Sequence, residues 1–136
     1  MRKILLLIAG VLLIVCNSCQ KDKFENFRQG TFYIPGNQNN VEKYIVIRKE
    51  NSQVVYKNNL QDKNPEFQVL ERIDNKTYRI TYDSSKAKLT ENQKRINKNN
   101  GFIIENIKVE EDCLIYKSTM TLDDEKYEYN SKMCEE

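Results

Sequence analysis

Cys113 and Cys134, five tyrosines and two short clusters of carboxylates are the residues of this 136-residue chain whose types and spacing point to chemistry. Histidine is absent, which excludes Ser-His-Asp and Cys-His catalysis and every His-containing zinc site. The four glycines are scattered at Gly10, Gly30, Gly36 and Gly101, so there is no Gly-rich loop to cradle a phosphate. The carboxylates gather at Glu110-Glu111-Asp112 and at Asp123-Asp124-Glu125. These are the residue types of a glycosidase pair or a calcium site, but both clusters fall on expected turns, where acids are solvated. An EF-hand loop starting at Asp74 fails because Lys76 and Tyr78 stand where oxygen ligands are needed. The chain is therefore read as non-enzymatic, with no catalytic residue, no metal ligand and no cofactor.

The elements that must position the cysteines and tyrosines lie in the last third of the chain. Residues 102–134 read as a three-strand antiparallel meander. A two-residue turn at Glu111-Asp112 sets Val109 against Leu114, Ile107 against Tyr116 and Ile103 against Met120. A second turn at Asp123-Asp124 sets Leu114 against Met133, Ser118 against Tyr129 and Met120 against Tyr127. Both registers put apolar residues on one shared face. The other face of the second hairpin is mostly polar (Ile115–Lys132, Lys117–Asn130, Thr119–Glu128, Thr121–Lys126), and the same register places Cys113 opposite Cys134. A disulfide there has an expected Cα separation of ~5.5 Å. Closing a loop of about 20 residues, it contributes roughly 3 kcal/mol in the chain-entropy model.

Tyr78, Tyr82, Tyr116, Tyr127 and Tyr129 all fall on the expected dry face. Inside a small barrel such tyrosines hydrogen-bond a ligand; in a filled core they pack, with their hydroxyls reaching the edge.

Upstream, Gly30 to Ile34 is a β-branched and aromatic strand stopped by Pro35-Gly36. Tyr44 to Lys49 and Gln53 to Lys57 form a hairpin in which Ile47 meets Val54 and Ile45 meets Tyr56. Phe67 to Ile73 and Thr77 to Tyr82 form another, around a two-residue turn at Asn75-Lys76. That register groups Phe67, Val69 and Ile73 with Tyr78, Ile80 and Tyr82, and sets Glu71 opposite Ile80. Thr90-Glu91-Asn92-Gln93 has the spacing of a capping box and predicts one short helix over 90–97. The sum is an all-β chain of about eight strands in an antiparallel up-and-down meander, curled into a small barrel or half-barrel, with a two-sheet sandwich as the alternative.

The N-terminus joins a basic Met1-Arg2-Lys3 to a twelve-residue apolar run, Ile4 to Val15, which is short for a bilayer span and suited to a secretory leader. The run ends in Cys16-Asn17-Ser18-Cys19. This resembles a bacterial lipoprotein signal, which implies cleavage after Ser18 and acylation of Cys19 in preference to Cys16. The expected organisation is a signal peptide over 1–18, a lipidated tether over 19–29 and a β domain over 30–136. Loss of Arg2 and Lys3 with the leader leaves 20 basic residues against 20 acidic ones. That balance offers no excess charge to a nucleic-acid backbone. Export also places the domain where disulfides persist.

Gln20-Lys21-Asp22-Lys23 resembles the charged segment that sends lipoproteins of Bacteroidetes-type bacteria to the outer face of the outer membrane. Gly30-Thr31-Phe32, Ile47-Arg48 followed by Gln53, and Tyr78-Arg79-Ile80-Thr81-Tyr82 are together similar to a group of small flavobacterial lipoproteins, with Arg72 and Lys76 departing from the commoner pattern. The Gly30-Thr31-Phe32 start also faintly resembles the opening strand of lipocalins. What the resemblance implies is anchorage to the outer membrane by the N-terminal lipid, with no activity to carry over. Two functions then compete: a non-catalytic binding or accessory module, and a lipocalin-like carrier of a small apolar ligand. An interior cavity lined by the tyrosines favours the carrier; a filled interior with an exposed apolar patch favours the module.

Overall fold

The computed structural model describes residues 22–38 and 41–136. The expected leader and the expected lipidation site, Cys19, lie outside the described residues. Eight strands follow one another: β1 (Gly30–Ile34), β2 (Tyr44–Arg48), β3 (Ser52–Lys57), β4 (Glu66–Arg72), β5 (Thr77–Tyr82), β6 (Phe102–Glu110), β7 (Cys113–Leu122) and β8 (Glu125–Glu135). Each pairs antiparallel with the next, and β8 returns to β1, so the sheet closes into a barrel rather than splitting into two layers. The closing seam is short, at Phe32–Glu135 and Tyr33–Cys134, so among the described residues β8 before Cys134 has no partner strand on that side.

The β7–β8 register is the expected one: Cys113 faces Cys134, Leu114 faces Met133 and Met120 faces Tyr127. Asp123 and Asp124 both take positive φ (50° and 66°), as a two-residue turn matched to the strand twist requires. Cys113 and Cys134 form a disulfide with Cα atoms 3.9 Å apart. They are closer than the ~5.5 Å expected because Glu135 N–H bonds the Asp112 carbonyl one position away, which makes the cysteines a non-hydrogen-bonded pair, the closer kind.

Two other registers differ from expectation. β6 and β7 start in register at Val109–Leu114, but a bulge between Asn106 and Lys108 then shifts the pairing. Phe102, not Ile103, faces Met120; Asn106, not Ile107, faces Tyr116; and Ile107 is exposed. An unbulged strand would turn Glu105 inward. The bulge turns it out, where it pairs with Lys117 Nζ at 3.3 Å, and brings Ile104 into the core. At β4–β5 the turn has three residues, not two. Asp74 Oδ1 accepts from the N–H groups of Lys76 and Thr77 (2.8 Å each), and Ile73 N–H bonds the Thr77 carbonyl. That extra residue slips the register by one. Leu70 meets Ile80 inside, and Glu71 meets Arg79 outside in an ion pair of 3.1 Å. Phe67, Val69 and Ile73 thereby lie on the outer face.

Residues 23–29 were expected as part of a solvated tether. Lys23–Phe27 instead forms a 3-10 helix, started by the Asp22 carboxylate accepting from Phe24 N–H. Phe27 is 3% exposed and packs with Phe32, Val46, Leu114 and Met133. The helix therefore stops one end of the barrel, the end of the short β2–β3, β4–β5 and β6–β7 turns. Helix α1 (Glu91–Lys98) sits at the other end, with the full capping box between Thr90 and Gln93. Asn97 clasps both backbone groups of Tyr82 (2.8 and 2.9 Å), and Arg95 pairs with Asp123. The chain leaves α1 through Gly101, at φ 68° and with its Cα so close to β5 that a Cβ would lie 2.2 Å from the Ile80 carbonyl oxygen.

Candidate functional site

The barrel interior holds a cavity of about 560 Å³, within the ~300–1,000 Å³ range of small-molecule sites. Its residues reach it by strand alternation: Tyr44, Val46 and Arg48 from β2, Gln53 and Val55 from β3, Glu66 and Gln68 from β4, and Tyr78, Ile80 and Tyr82 from β5. Phe102, Ile104, Tyr116, Ser118, Tyr129 and Met133 complete the far wall. Glu42, Glu66, Tyr82 and Tyr129 come from the end of the long β1–β2, β3–β4 and β5–β6 connections, which is the mouth. The opposite end is stopped by Phe27.

The two walls differ in chemistry. On β2, β3 and β4 a hydrogen-bonded strip crosses three strands. Arg48 Nε donates to Gln53 Oε1 (2.8 Å), Gln53 Nε2 to Gln68 Oε1 (2.6 Å), and Gln68 Nε2 to Glu66 Oε2 (3.2 Å). Arg48 Nη1 also donates to the Phe27 carbonyl and Nη2 to the Tyr78 hydroxyl, each at 3.2 Å, with the guanidinium over the Tyr78 ring. Arg48, Gln53 and Gln68 are all buried. The wall across the cavity combines the apolar Phe102, Ile104 and Met133 with the Tyr116 and Tyr129 hydroxyls, Ser118, Asn130 and Ser131. Ser118 is 1% exposed, and its Oγ has no hydrogen-bond partner among the described residues.

Four of the five expected tyrosines come together here: Tyr78, Tyr82, Tyr116 and Tyr129. Tyr127 does not; it is exposed beyond the mouth and donates to Glu125 Oε2 (2.7 Å). Tyr44 joins them, unanticipated. Burial raises the Tyr82 hydroxyl well above its usual range and pushes Tyr116 up to about 12, so both stay protonated donors near neutral pH. The two acidic clusters lie on turns, as expected. Glu110 pairs with Lys108, Asp123 with Arg95, and Glu125 accepts from Tyr127. Among the described residues, no group of three or more His, Cys, Asp or Glu side chains converges to hold a metal.

Arg48, Gln53, Gln68 and Ser118 were not assigned a role from the sequence. The signal for two of them was present, because Arg48 and Gln53 are among the positions that carry the lipoprotein resemblance. The hairpin places them directly opposite each other. Their inward direction was not legible, because Ile45, Ile47, Val54 and Tyr56 make the other face of that hairpin look like a core.

Burial raises the Glu66 carboxyl above its ordinary value of 4.5, against a lowering hydrogen bond from Gln68. The folded chain then holds a proton that the unfolded chain has lost, so stability falls as pH rises through the window above 4.5. Glu66→Gln should match the parent protein near pH 4 and exceed it at pH 7 in denaturant midpoint. A variant less stable than the parent at pH 7 would refute this reading of the carboxyl.

The class defined by fold and site is a closed eight-stranded antiparallel meander barrel with a cavity open at one end. No family model matches the chain, and no curated protein or solved structure matches it.

Proposed function

We propose that this chain is an exported, lipid-anchored barrel that binds a small amphipathic molecule in its interior without transforming it. The cavity carries the reading. An eight-stranded barrel is at the width where side chains either fill the interior or leave room for one small ligand, and here they leave room. The tyrosine-lined hollow supports the carrier over the accessory module, which was tied to a filled interior. The likeness to lipocalins is one of architecture alone. Native mass spectrometry of the protein purified from its own host is the test. A retained small-molecule adduct is expected; a bare mass on gentle release, with no uptake of any added amphiphile, would overturn the proposal.

Anchorage is a separate part of the proposal, supported by the basic start, the twelve-residue apolar run and the Ser18-Cys19 order. Outer-membrane display is supported by the charged Gln20-Lys21-Asp22-Lys23 that comes after Cys19. Cys19→Ser should move essentially all of the protein from the membrane fraction to the soluble one, while Cys16→Ser leaves it in place. The reverse pattern would make Cys16 the acylated residue. The balanced charge after processing supports a partner other than nucleic acid, and salt-sensitive binding to duplex DNA would contradict that.

A further inference from the structure

We propose that the ligand of the cavity is an amphipathic monocarboxylate whose carboxylate sits on Arg48; this rests on the cavity-binding reading above. Arg48 is 8% exposed, and arginine stays charged at any pH a protein survives. Its three bonds all go to neutral acceptors: Gln53 Oε1, the Phe27 carbonyl and the Tyr78 hydroxyl. A guanidinium carries five N–H donors, so one on Nη1 and one on Nη2 remain. Among the described residues no carboxylate forms an ion pair with it. A buried cation without a counter-charge is costly, and here it borders a hollow large enough to admit one.

The placement orients the ligand. Arg48 ends β2 at the stopped end, and Tyr44 begins β2 near the mouth, about 13 Å away along the strand. The ligand enters carboxylate first, and its apolar body lies along Val46, Val55, Ile80, Phe102, Ile104 and Met133. The mouth carboxylates do not bar an anion. Glu42 is held by Lys57 Nζ at 2.5 Å, and Glu66 bonds Gln68 and is biased by burial toward its neutral form. A bidentate guanidinium–carboxylate contact also fits Arg48 better than a cation or an alcohol would.

The experiment is native mass spectrometry of the full chain released from non-ionic detergent, titrated with decanoate, decan-1-ol or decylamine. Decanoate should bind at least about tenfold more tightly than decan-1-ol, and decylamine most weakly. Arg48→Gln should erase the preference for decanoate while decan-1-ol still binds. If Arg48→Gln does not fold, the decanoate-to-decanol ratio of the unaltered protein decides alone. Equal binding of decanoate and decan-1-ol, or tightest binding of decylamine, overturns the carboxylate proposal and leaves the cavity reading standing. Binding of none of the three overturns both.

Discussion

Reducing the Cys113–Cys134 bond should lower the stability of the barrel by about 3 kcal/mol and its Tm by of order 10 °C. The bond spans 21 positions of sequence, so its loss restores the freedom of a sizeable loop to the unfolded chain. Its position adds to the effect. The seam that closes the barrel has only two paired positions, Phe32–Glu135 and Tyr33–Cys134. The disulfide holds that end of β8 to β7, so reduction frees the strand on which the seam depends. Amide exchange should accelerate first at β1 and the end of β8, before the β2–β5 hairpins. Denaturant titrations with and without reductant measure the loss, and the Cys113→Ser, Cys134→Ser double variant is the control that reductant leaves unchanged. Coincident midpoints for oxidised and reduced protein would refute it. Met133, next to the bond, lines the cavity, so reduction should also weaken ligand retention.

Phe27→Ala should be the costliest single change tied to the site, at about 3–5 kcal/mol. The ring is 3% exposed, stacks on Phe32 with centroids 5.4 Å apart and fills the stopped end against Val46, Leu114 and Met133. Domains of this size are stable by only about 5–15 kcal/mol, so the variant approaches the unfolding threshold. The Phe27 carbonyl also accepts from Arg48, so losing the plug disturbs the cation at the base of the cavity. Removal of residues up to Gln29 distinguishes a plug from a tether. A tether can be deleted without penalty, whereas loss of the plug should reproduce the Phe27→Ala destabilisation. Urea midpoints of both proteins against the parent give the answer, and an unchanged midpoint after deletion would restore the tether.

Much of the fold was legible because it is built from local signals. The strand boundaries follow from β-branched and aromatic runs between turn residues, and the helix follows from Thr90 and Gln93. The β7–β8 register was over-determined, because one two-residue turn had to satisfy Leu114, Met120, Met133 and the cysteine pair at once. The candidate site was only half legible. Four of five tyrosines reached it because they alternate on strands whose inward face was apolar enough to recognise. Tyr127 missed it because β8 extends past the mouth. Arg48, Gln53 and Gln68 were not legible as site residues, because a polar residue on a strand ordinarily faces water.

By itself the sequence determined the strands, most turns, the helix cap and the cysteine pairing, since each depends on residues close in the chain or on one hairpin. It also determined two faces for every strand. On β2, β3, β4 and the first part of β6, only the tertiary structure decided which face turned inward. In a closed barrel the inner face lines a hollow and can carry polar groups, while the outer face can stay partly apolar, so hydrophobic alternation leaves the sign open. The three-residue turn at Asp74 and the bulge at Ile107 each set that sign by a single residue, because the side-chain period of a strand is two. Burial of Arg48 was decided the same way: it has a counterpart only once β2, β3 and β5 bring Gln53 and Tyr78 around it and the 3-10 helix supplies the Phe27 carbonyl from outside the sheet.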